Sequence, residues 1–230
     1  MLRCYAALLF ACVPLLARAA PVPKEDAAAR LLRVYGTAFD PDKDCAFEMT
    51  GEQLRIKIPA GRHTLNLGPD RWNAPRVARA VEGDFTVIVK VSFPIRPSEG
   101  PDASEDSTRF STAGLAVWSE RGESIRFVRR EARIGRKMAE SVVRSWDNQT
   151  GSNTYIGRFA KESESCYLRL ERKGHRVKTD CSRNGKEWAL ASEIEDGWKG
   201  KVNVGVIAEN GSEVTFEATF EEYQLTLPKK

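Results

Sequence analysis

Six side chains that could bind a sugar are predicted to share the exposed, concave face of a β-sheet. They are aromatic or charged residues at alternating strand positions, namely Trp118, Arg126, Tyr167, Arg169, Glu171 and Arg176. Planar rings and bidentate guanidinium groups on such a face suit a sugar ring, or an acidic polymer such as a uronate or a sulfated glycan. The alternative is a solvated face with cross-strand pairs, Glu171 with Arg176 and Tyr167 near Asp180, each contributing about 0.2–1 kcal/mol.

Three aspartates at alternate positions could hold a calcium ion. Asp40-x-Asp42-x-Asp44 has the spacing with which a loop presents carboxylates to Ca²⁺. An EF-hand would continue with a glycine and place a glutamate at the twelfth loop position, where this chain has Cys45 and Gly51. The segment is therefore either a calcium site of another kind or a solvated turn that the aspartate side chains stabilise.

No catalytic residue is assigned from the sequence. The chain lacks a Gly-x-Ser-x-Gly elbow, a phosphate-binding glycine loop and a zinc-ligand spacing, and its two histidines are His63 and His175. A glycosidase needs two carboxylates across the substrate. The nearest candidates, Glu193–Asp196 and Glu217–Glu222, have the pattern of surface turns and outer strand faces.

The stretch Cys166–Trp188 predicts three antiparallel strands with turns at Lys173-Gly174 and Asn184-Gly185. If facing residues are counted from these turns, one face of the meander is apolar and the other is charged. The predicted buried face consists of Cys166, Leu168, Leu170, Val177, Cys181, Trp188 and Leu190. In this register Cys166 faces Cys181, Leu168 faces Thr179, and the tryptophan packs inward. A sheet with one buried face follows from the pattern.

Residues 1–19 have the parts of a secretory signal. A short basic start, Met1–Arg3, precedes the apolar core Cys4–Leu16, and Ala17–Ala19 fits the cleavage pattern. The apolar core is too short to span a bilayer. We therefore expect an exported protein, periplasmic or extracellular, without a membrane span; a lipoprotein with Cys12 lipidated is the alternative.

Export predicts a disulfide, because disulfides persist in oxidising compartments. Directly opposed strand residues lie about 4.5–5.5 Å apart, within the range that a disulfide spans. We expect a bond between Cys166 and Cys181, the alternative being two thiols packed as small apolar residues. Cys45 is left unpaired.

The charge balance argues against nucleic acid as a partner. The formal net charge is +4 over 230 residues, with 36 basic and 32 acidic side chains. The basic residues are dispersed along the chain, so they form no electrostatic stripe of the kind that nucleic acids require.

Strand signals dominate after residue 33. Residues 20–33 are expected to be a linker or a short helix, and residues 34–228 a single domain. Asp84–Phe93 alternates most clearly, and no helix alternates with the strands. The fold class that fits is all-β, an antiparallel two-sheet sandwich of the jelly-roll kind.

Several motifs in order carry a family resemblance. They are Asp40–Cys45, Asn73–Val77, Gly83–Val87, Ala113–Leu115 with Trp118, Tyr167–Arg172, Ser182–Trp188 and Phe220–Leu225. Together they resemble exported bacterial domains of unknown function in the concanavalin A-like lectin/glucanase superfamily. The resemblance implies a jelly roll and glycan binding, and its laminin-G-like members hold calcium at a sheet edge. It brings no catalytic residues, and the Glu-x-Asp-x-x-Glu run of the superfamily's glucanases does not occur here.

These observations favour an exported, non-enzymatic domain that binds carbohydrate or a cell-surface polymer on its concave sheet. No cofactor other than Ca²⁺ is indicated. The alternatives are a structural or protein-interaction module of the cell envelope and a glycoside hydrolase or lyase, so the sequence leaves catalysis open.

Overall fold

The computed structural model describes residues 25–65, 72–93, 108–134, 137–148, 151, 153–156, 165–195, 197–198 and 200–228. The regular structure in these ranges is one short helix and two antiparallel sheets. In chain order the elements are α1 Ala27–Val34, β1 Thr37–Phe39, β2 Ala46–Thr50, β3 Gln53–Ile58, β4 Gly61–His63, β5 Arg76–Glu82, β6 Phe85–Ser92, β7 Thr108–Ser119, β8 Ser124–Ile134, β9 Lys137–Asp147, β10 Asn153–Ile156, β11 Ser165–Lys173, β12 Arg176–Ser182, β13 Ala189–Glu195, β14 Lys201–Ser212 and β15 Phe216–Thr226. Within the described ranges, no helix has the length and apolar character needed to cross a bilayer. The predicted signal segment, residues 1–19, lies outside the described residues.

Helix α1 occupies the segment for which a linker or short helix was predicted. The Asp26 carboxylate accepts a hydrogen bond from the backbone N–H of Ala29 at 2.6 Å, which caps the first turn. The helix ends at Val34, and the hydroxyl of the next residue, Tyr35, lies within hydrogen-bond distance of the carbonyl oxygens of Phe220 and Glu52, at 2.8 and 3.0 Å. This buried tyrosine attaches the helix to the sandwich.

The larger sheet has eight strands in the order β1-β5-β14-β7-β8-β9-β10, with β4 paired to the far part of β14. The smaller sheet has seven strands in the order β13-β12-β11-β6-β15-β3-β2. Neighbouring strands within each sheet are antiparallel. The predicted all-β, two-sheet sandwich is confirmed.

The core lies between the two sheets and is built by alternation. On β14, Val202, Val204 and Val206 point inward and are at most 1% exposed. From the other sheet, Leu168 and Leu170 of β11 are fully buried in the same core. Burying a leucine side chain contributes about 1.5–3 kcal/mol, so these alternating positions supply much of the driving force for folding.

The β11–β12 hairpin turns at Gly174-His175, whereas the predicted turn was Lys173-Gly174. Gly174 has φ +57°, and a glycine at the first of two turn positions suits a type II′ turn. Leu168 consequently faces Cys181 and not Thr179. A shift of two residues keeps every side chain on its predicted face, which is why the leucines of β11 are buried as expected.

The predicted Cys166–Cys181 disulfide is wrong, because both cysteines are free thiols, as is Cys45. The shifted register makes Cys166 and Cys181 diagonal neighbours, which lie about 7–8 Å apart, beyond the usual span of a disulfide. Burial raises the pKa of Cys166 to about 12 and that of Cys181 to about 11. The two thiols therefore pack as small apolar residues.

Trp188 and Leu190 were predicted to point inward, and that part of the register is wrong. The turn before β13 is longer than two residues, because Asn184 Oδ1 accepts from the N–H groups of Lys186 and Glu187 at 2.9 and 3.0 Å. The pairing of β12 with β13 then shifts at a bulge. As a result Leu190 is 56% exposed, and Trp188 lies half-buried on the outer face of the smaller sheet.

Candidate functional site

The candidate site is a pocket on the outer face of the eight-stranded sheet. Even-numbered residues of β7, β8 and β9 point away from the core, since their odd-numbered neighbours fill it. The pocket has a volume of about 240 Å³ and is called the arginine pocket below. It is lined by Arg62, Phe110, Thr112, Arg126, Val128, Arg130, Arg144, Trp146 and Glu209.

Strand pairing places these residues side by side. On the floor of the pocket, Thr112 of β7 lies between Arg130 of β8 and Glu209 of β14. Arg126 of β8 pairs with Trp146 of β9. Because paired residues on one face have Cβ atoms about 4.5–5.5 Å apart, the register alone brings these groups within reach of one ligand.

A buried ion pair forms the floor of the arginine pocket. Arg126 Nη1 donates to Glu209 Oε1 at 2.5 Å, and the two residues are 5% and 3% exposed. The carboxylate also accepts from the Leu65 N–H at 2.8 Å and the Thr112 hydroxyl at 2.7 Å. Burial alone would raise the pKa of Glu209, but Arg126 and these two donors outweigh it and hold the pKa below its ordinary value of 4.5. Glu209 is therefore ionised at neutral pH.

Aromatic rings lie against the guanidinium groups of the pocket. The Arg126 guanidinium lies 3.7 Å from the ring centroid of Trp146, and Arg144 lies 5.8 Å from the same ring. Arg130 lies 4.4 Å from the ring of Phe110. Stacked guanidinium groups lose less conformational freedom when they form bidentate hydrogen bonds, so the arrangement is preorganised for a planar anion.

The described lining is strongly cationic. It contains four arginines, Arg62, Arg126, Arg130 and Arg144, and one carboxylate, Glu209. Glu209 takes one of the five N–H donors of Arg126. Among the described lining residues, arginines therefore outnumber carboxylates by four to one.

Trp118 was predicted to be exposed, and it is 6% exposed. It points outward from β7 as expected, but other residues cover it. The Phe39 ring packs edge-on against it at 6.1 Å, and the Arg76 guanidinium lies 5.3 Å from its centroid. Trp118 belongs to an apolar cluster beside the pocket and does not line it.

Of the six predicted ligand-binding residues, Arg126 alone lines the arginine pocket. Four of the others lie on the seven-stranded sheet, namely Tyr167, Arg169, Glu171 and Arg176. The structure therefore does not bring the predicted set together on one face.

The two central residues of that group are held by neighbours on their own sheet. The Tyr167 hydroxyl donates to Glu222 Oε1 at 2.9 Å. The Arg169 guanidinium binds Asp180 Oδ2 at 2.9 Å and lies 4.3 Å from the centroid of Trp188. Both side chains have the cross-strand role that was the alternative interpretation of this face.

Glu171 and Arg176 also form ion pairs, although not with each other as the predicted register required. Glu171 Oε1 lies 2.7 Å from Lys173 Nζ, and Arg176 Nη1 lies 3.2 Å from Glu193 Oε1. The Arg176 side chain is 66% exposed, and exposed pairs of this kind contribute about 0–1 kcal/mol.

The three aspartates of the predicted calcium site have different hydrogen-bond partners, although Asp42 and Asp44 both approach His63. Asp40 accepts from backbone N–H groups of its own turn at 2.9 and 3.1 Å. Asp42 accepts from Asn73 Nδ2 at 2.7 Å, and Asp44 lies 3.2 Å from His63 Nε2. The carboxylates stabilise the turn and connect it to neighbouring segments, which was the alternative interpretation.

Sequence reasoning missed most of the arginine pocket, although two signals in the sequence point to it. Arg126-x-Val128-x-Arg130 and Arg144-x-Trp146 alternate on strands that were assigned, so strand parity alone puts these side chains on one face. Glu209 has an odd number and the inward-pointing valines of β14 have even numbers, so Glu209 lies on the outer face of that strand. Only the strand order β14-β7-β8 could show that the outer face of β14 continues the outer face of β8.

Residues 61–228 match the model of a family described as protein of unknown function, DUF1349. The chain belongs to the DUF1349 family. No curated protein matches it. The matched range of this DUF1349 chain contains every residue that lines the arginine pocket.

Solved structures similar to this DUF1349 chain share its fold. A functionally unknown protein from Saccharomyces cerevisiae is 16% identical over 84% of this chain and 97% of its own, with a TM-score of 0.63. The GH43 protein BlXynB from Bacillus licheniformis is 18% identical over 81% of this chain, with a TM-score of 0.55. The match covers 35% of BlXynB, so this chain spans about a third of that protein.

An alginate lyase, AlgAT5 of polysaccharide lyase family 7, is 8% identical over 82% of this chain and 84% of its own, with a TM-score of 0.50. At these identities the similarities show the fold alone. The jelly-roll sandwich predicted from the sequence is the fold of this DUF1349 protein.

Proposed function

We propose that this DUF1349 protein is a carbohydrate-binding domain that takes an acidic sugar in the arginine pocket. The observation that carries the proposal is the set of four guanidinium groups around the one carboxylate of the described lining, which Arg126 already neutralises. A uronate carboxylate or a sulfate ester is planar or compact, anionic and able to accept bidentate hydrogen bonds. Its sugar ring supplies hydroxyl groups for the remaining donors.

The size of the pocket limits what can enter it. Its volume of about 240 Å³ lies below the roughly 300–1,000 Å³ of sites for drug-sized ligands. One sugar ring or one acidic substituent fits such a space, and the rest of a polymer would lie across the open face of the sheet. Arg62, which is exposed on β4, stands at the border where such a polymer would pass.

The chemistry of the pocket supports binding in preference to hydrolysis. Glycoside cleavage by the usual routes needs one protonated and one ionised carboxyl group. Among the described lining residues Glu209 is the one carboxylate, and its lowered pKa and three hydrogen-bond donors make it a poor proton donor. Its role here is to orient Arg126.

The fold supports a carbohydrate as the ligand, and the predicted signal segment supports export. The GH43 protein and the alginate lyase that share this fold are carbohydrate-active by name, which makes a sugar the first class to test. Export to the periplasm or the medium is part of the proposal and rests on the sequence of residues 1–19.

Calorimetric titration with a 1,4-linked uronic acid tetramer tests this function. We expect binding of the uronate and none of the neutral 1,4-linked glucose tetramer, with an affinity that falls as salt rises. Arg62→Gln should weaken binding by at least about tenfold, since a hydrogen bond to a charged group contributes about 1.5–3 kcal/mol. Arg62 is exposed, so the substitution should leave stability unchanged.

Arg176→Gln is the matched control, because it removes another exposed arginine, from the opposite sheet. It should bind the uronate as the wild type does. Equal loss in both variants would point to general charge attraction in place of a pocket. Failure of the wild type to bind acidic sugars, together with capture of a protein or self-association, would favour the interaction module.

A further inference from the structure

We propose that Asp44, Cys45 and His63 form a binding site for a divalent transition metal ion of the zinc class. One donor atom from each residue lies within 4.8 Å of the other two. Asp44 and Cys45 lie outside residues 61–228, so the family match says nothing about this group. It shares Asp44 with the calcium site predicted at Asp40, Asp42 and Asp44, but it adds a sulfur and a nitrogen donor.

The fold holds the three residues at the meeting point of two segments. Asp44 and Cys45 end the turn between β1 and β2, and Asp40 fixes that turn by accepting from the Cys45 N–H at 2.9 Å. His63 ends β4, where it pairs with Asn210 of β14. Strand β14 of the larger sheet thus holds the histidine in place. A turn fixed by the Asp40 hydrogen bond holds the other two ligands beside it.

Two of the three distances between donor atoms match those between ligands on a tetrahedral ion, and the Cys45 and His63 donors lie within 4.8 Å of each other. His63 Nε2 lies 3.2 Å from both Asp44 oxygens, and Cys45 Sγ lies 3.4 Å from Asp44 Oδ1. Zinc binds O, N and S at about 2.0–2.3 Å, so ligand atoms at the tetrahedral angle lie about 3.3–3.5 Å apart. An ion could take the place of the hydrogen bonds at Asp44 once the Cys45 and His63 donors move closer to each other.

The donor types select the metal. A thiolate, an imidazole and a carboxylate are zinc ligands, whereas Ca²⁺ and Mg²⁺ prefer sites built from oxygen alone. Binding would deprotonate the Cys45 thiol and release one proton. Asp42 Oδ2, 3.9 Å from His63 Nε2, is a further carboxylate that could move to the fourth position, or a water molecule could occupy it.

The surroundings favour a cation. The carboxylates of Asp40 and Asp44 both contact Cys45, at 2.9 Å from its N–H and 3.4 Å from its Sγ, and their negative charges attract a metal ion. The His63 ring is 4% exposed, and its Nδ1 has no hydrogen-bond partner, so its polar contacts are made through Nε2 toward Asp44. The Asp44 side chain is 44% exposed, which gives an ion a path from solvent.

Titration of the metal-free protein, purified without a histidine tag, with Co²⁺ tests the site. We expect one equivalent to give the visible absorption of tetrahedral cobalt and a thiolate-to-cobalt charge-transfer band, both removed by one equivalent of Zn²⁺. Zn²⁺ should also raise the melting midpoint, and Ca²⁺ or Mg²⁺ at the same concentration should not.

Cys45→Ser should abolish the charge-transfer band, and His63→Ala should weaken Co²⁺ binding by at least about tenfold. Cys166→Ala is the control and should keep the full spectrum, because that thiol is buried in the core. If His63→Ala does not fold, the half-buried and nearly isosteric Cys45→Ser decides alone. Absence of a cobalt spectrum, a band retained by Cys45→Ser, or equal stabilisation by Ca²⁺ would overturn the proposal.

Discussion

Glu209 and Arg126 determine the character of the arginine pocket at the scale of single residues. Each would be costly to bury alone, because an uncompensated charge loses several kcal/mol of hydration. Together they form a neutral floor, with the carboxylate fixed by the Leu65 N–H and the Thr112 hydroxyl. The ligand therefore meets the remaining guanidinium donors of Arg126 in a defined orientation.

Glu209→Gln is predicted to destabilise the protein by about 3 kcal/mol, because it leaves the Arg126 charge buried without its counterion. Chemical denaturation at pH 7 measures the change. Glu217→Gln is the control, since it breaks an ion pair with Arg55 that is nearly half exposed, and it should cost at most about 1 kcal/mol. A Glu209→Gln variant as stable as the control would show that the ion pair between Arg126 and Glu209 does not stabilise the fold.

The pH dependence of stability should follow the same carboxylate. The folded-state pKa of Glu209 is depressed below 4.5, so its contribution to stability is complete above about pH 4.5 and is lost as pH falls through the folded-state pKa. The free energy of unfolding of the wild type should therefore drop more steeply below pH 4.5 than that of Glu209→Gln. Parallel curves for the two proteins would contradict the assignment.

At the scale of elements, alternation along a strand was predictable and the length of each turn was not. The inward face of β11 follows from its period of two, which any even shift in register preserves. The turn at Gly174-His175 could not be distinguished from Lys173-Gly174, because one glycine serves either position. After Asn184, side-chain hydrogen bonds lengthen the turn, and this moved Leu190 to the surface.

The difference between local alternation, which the sequence shows, and long-range strand pairing, which it does not, also explains what could be predicted of the candidate site. Arg126 was placed on an outer face correctly, because its strand alternates. Its partner Glu209 is 83 residues away in the chain and reaches it only through the order β14-β7-β8. Trp118 was placed on the correct side of its strand, but a segment distant in sequence covers it. Local periodicity determines the face on which a residue lies, and long-range pairing determines what lies beside it.

The hairpin register leads to a prediction about the cysteines. Alkylation of the unfolded protein without a reductant, followed by peptide mass analysis, should find Cys45, Cys166 and Cys181 all modified. The reason is that Cys166 and Cys181 are diagonal and not directly opposed across β11 and β12. A peptide pair linked through Cys166 and Cys181 would contradict the observed register.

At the scale of the whole molecule, the sandwich has one core and two different outer faces. The seven-stranded sheet carries cross-strand ion pairs such as that of Arg169 with Asp180. The eight-stranded sheet carries an apolar cluster and, beside it, the arginine pocket. In the described part of the chain, the cluster of arginines around the pocket thus lies on the face opposite to these cross-strand ion pairs.

Two leucine substitutions test this layered arrangement. Leu168→Ala should cost about 2–5 kcal/mol, because its side chain is fully buried between the sheets. Leu190→Ala should change stability by less than about 0.5 kcal/mol, because that leucine is 56% exposed. Thermal or urea unfolding of both variants gives the comparison, and equal losses would contradict the positions of the two side chains.

Mapping of backbone amide chemical shifts during titration with the uronic acid tetramer tests the central claim most directly. We predict that the shifts concentrate on the strands of the arginine pocket, at Phe110–Thr112, Arg126–Arg130, Arg144–Trp146 and Glu209. Shifts confined to Tyr167–Glu171 and Arg176 on the opposite sheet, or no shifts at saturating ligand, would contradict it.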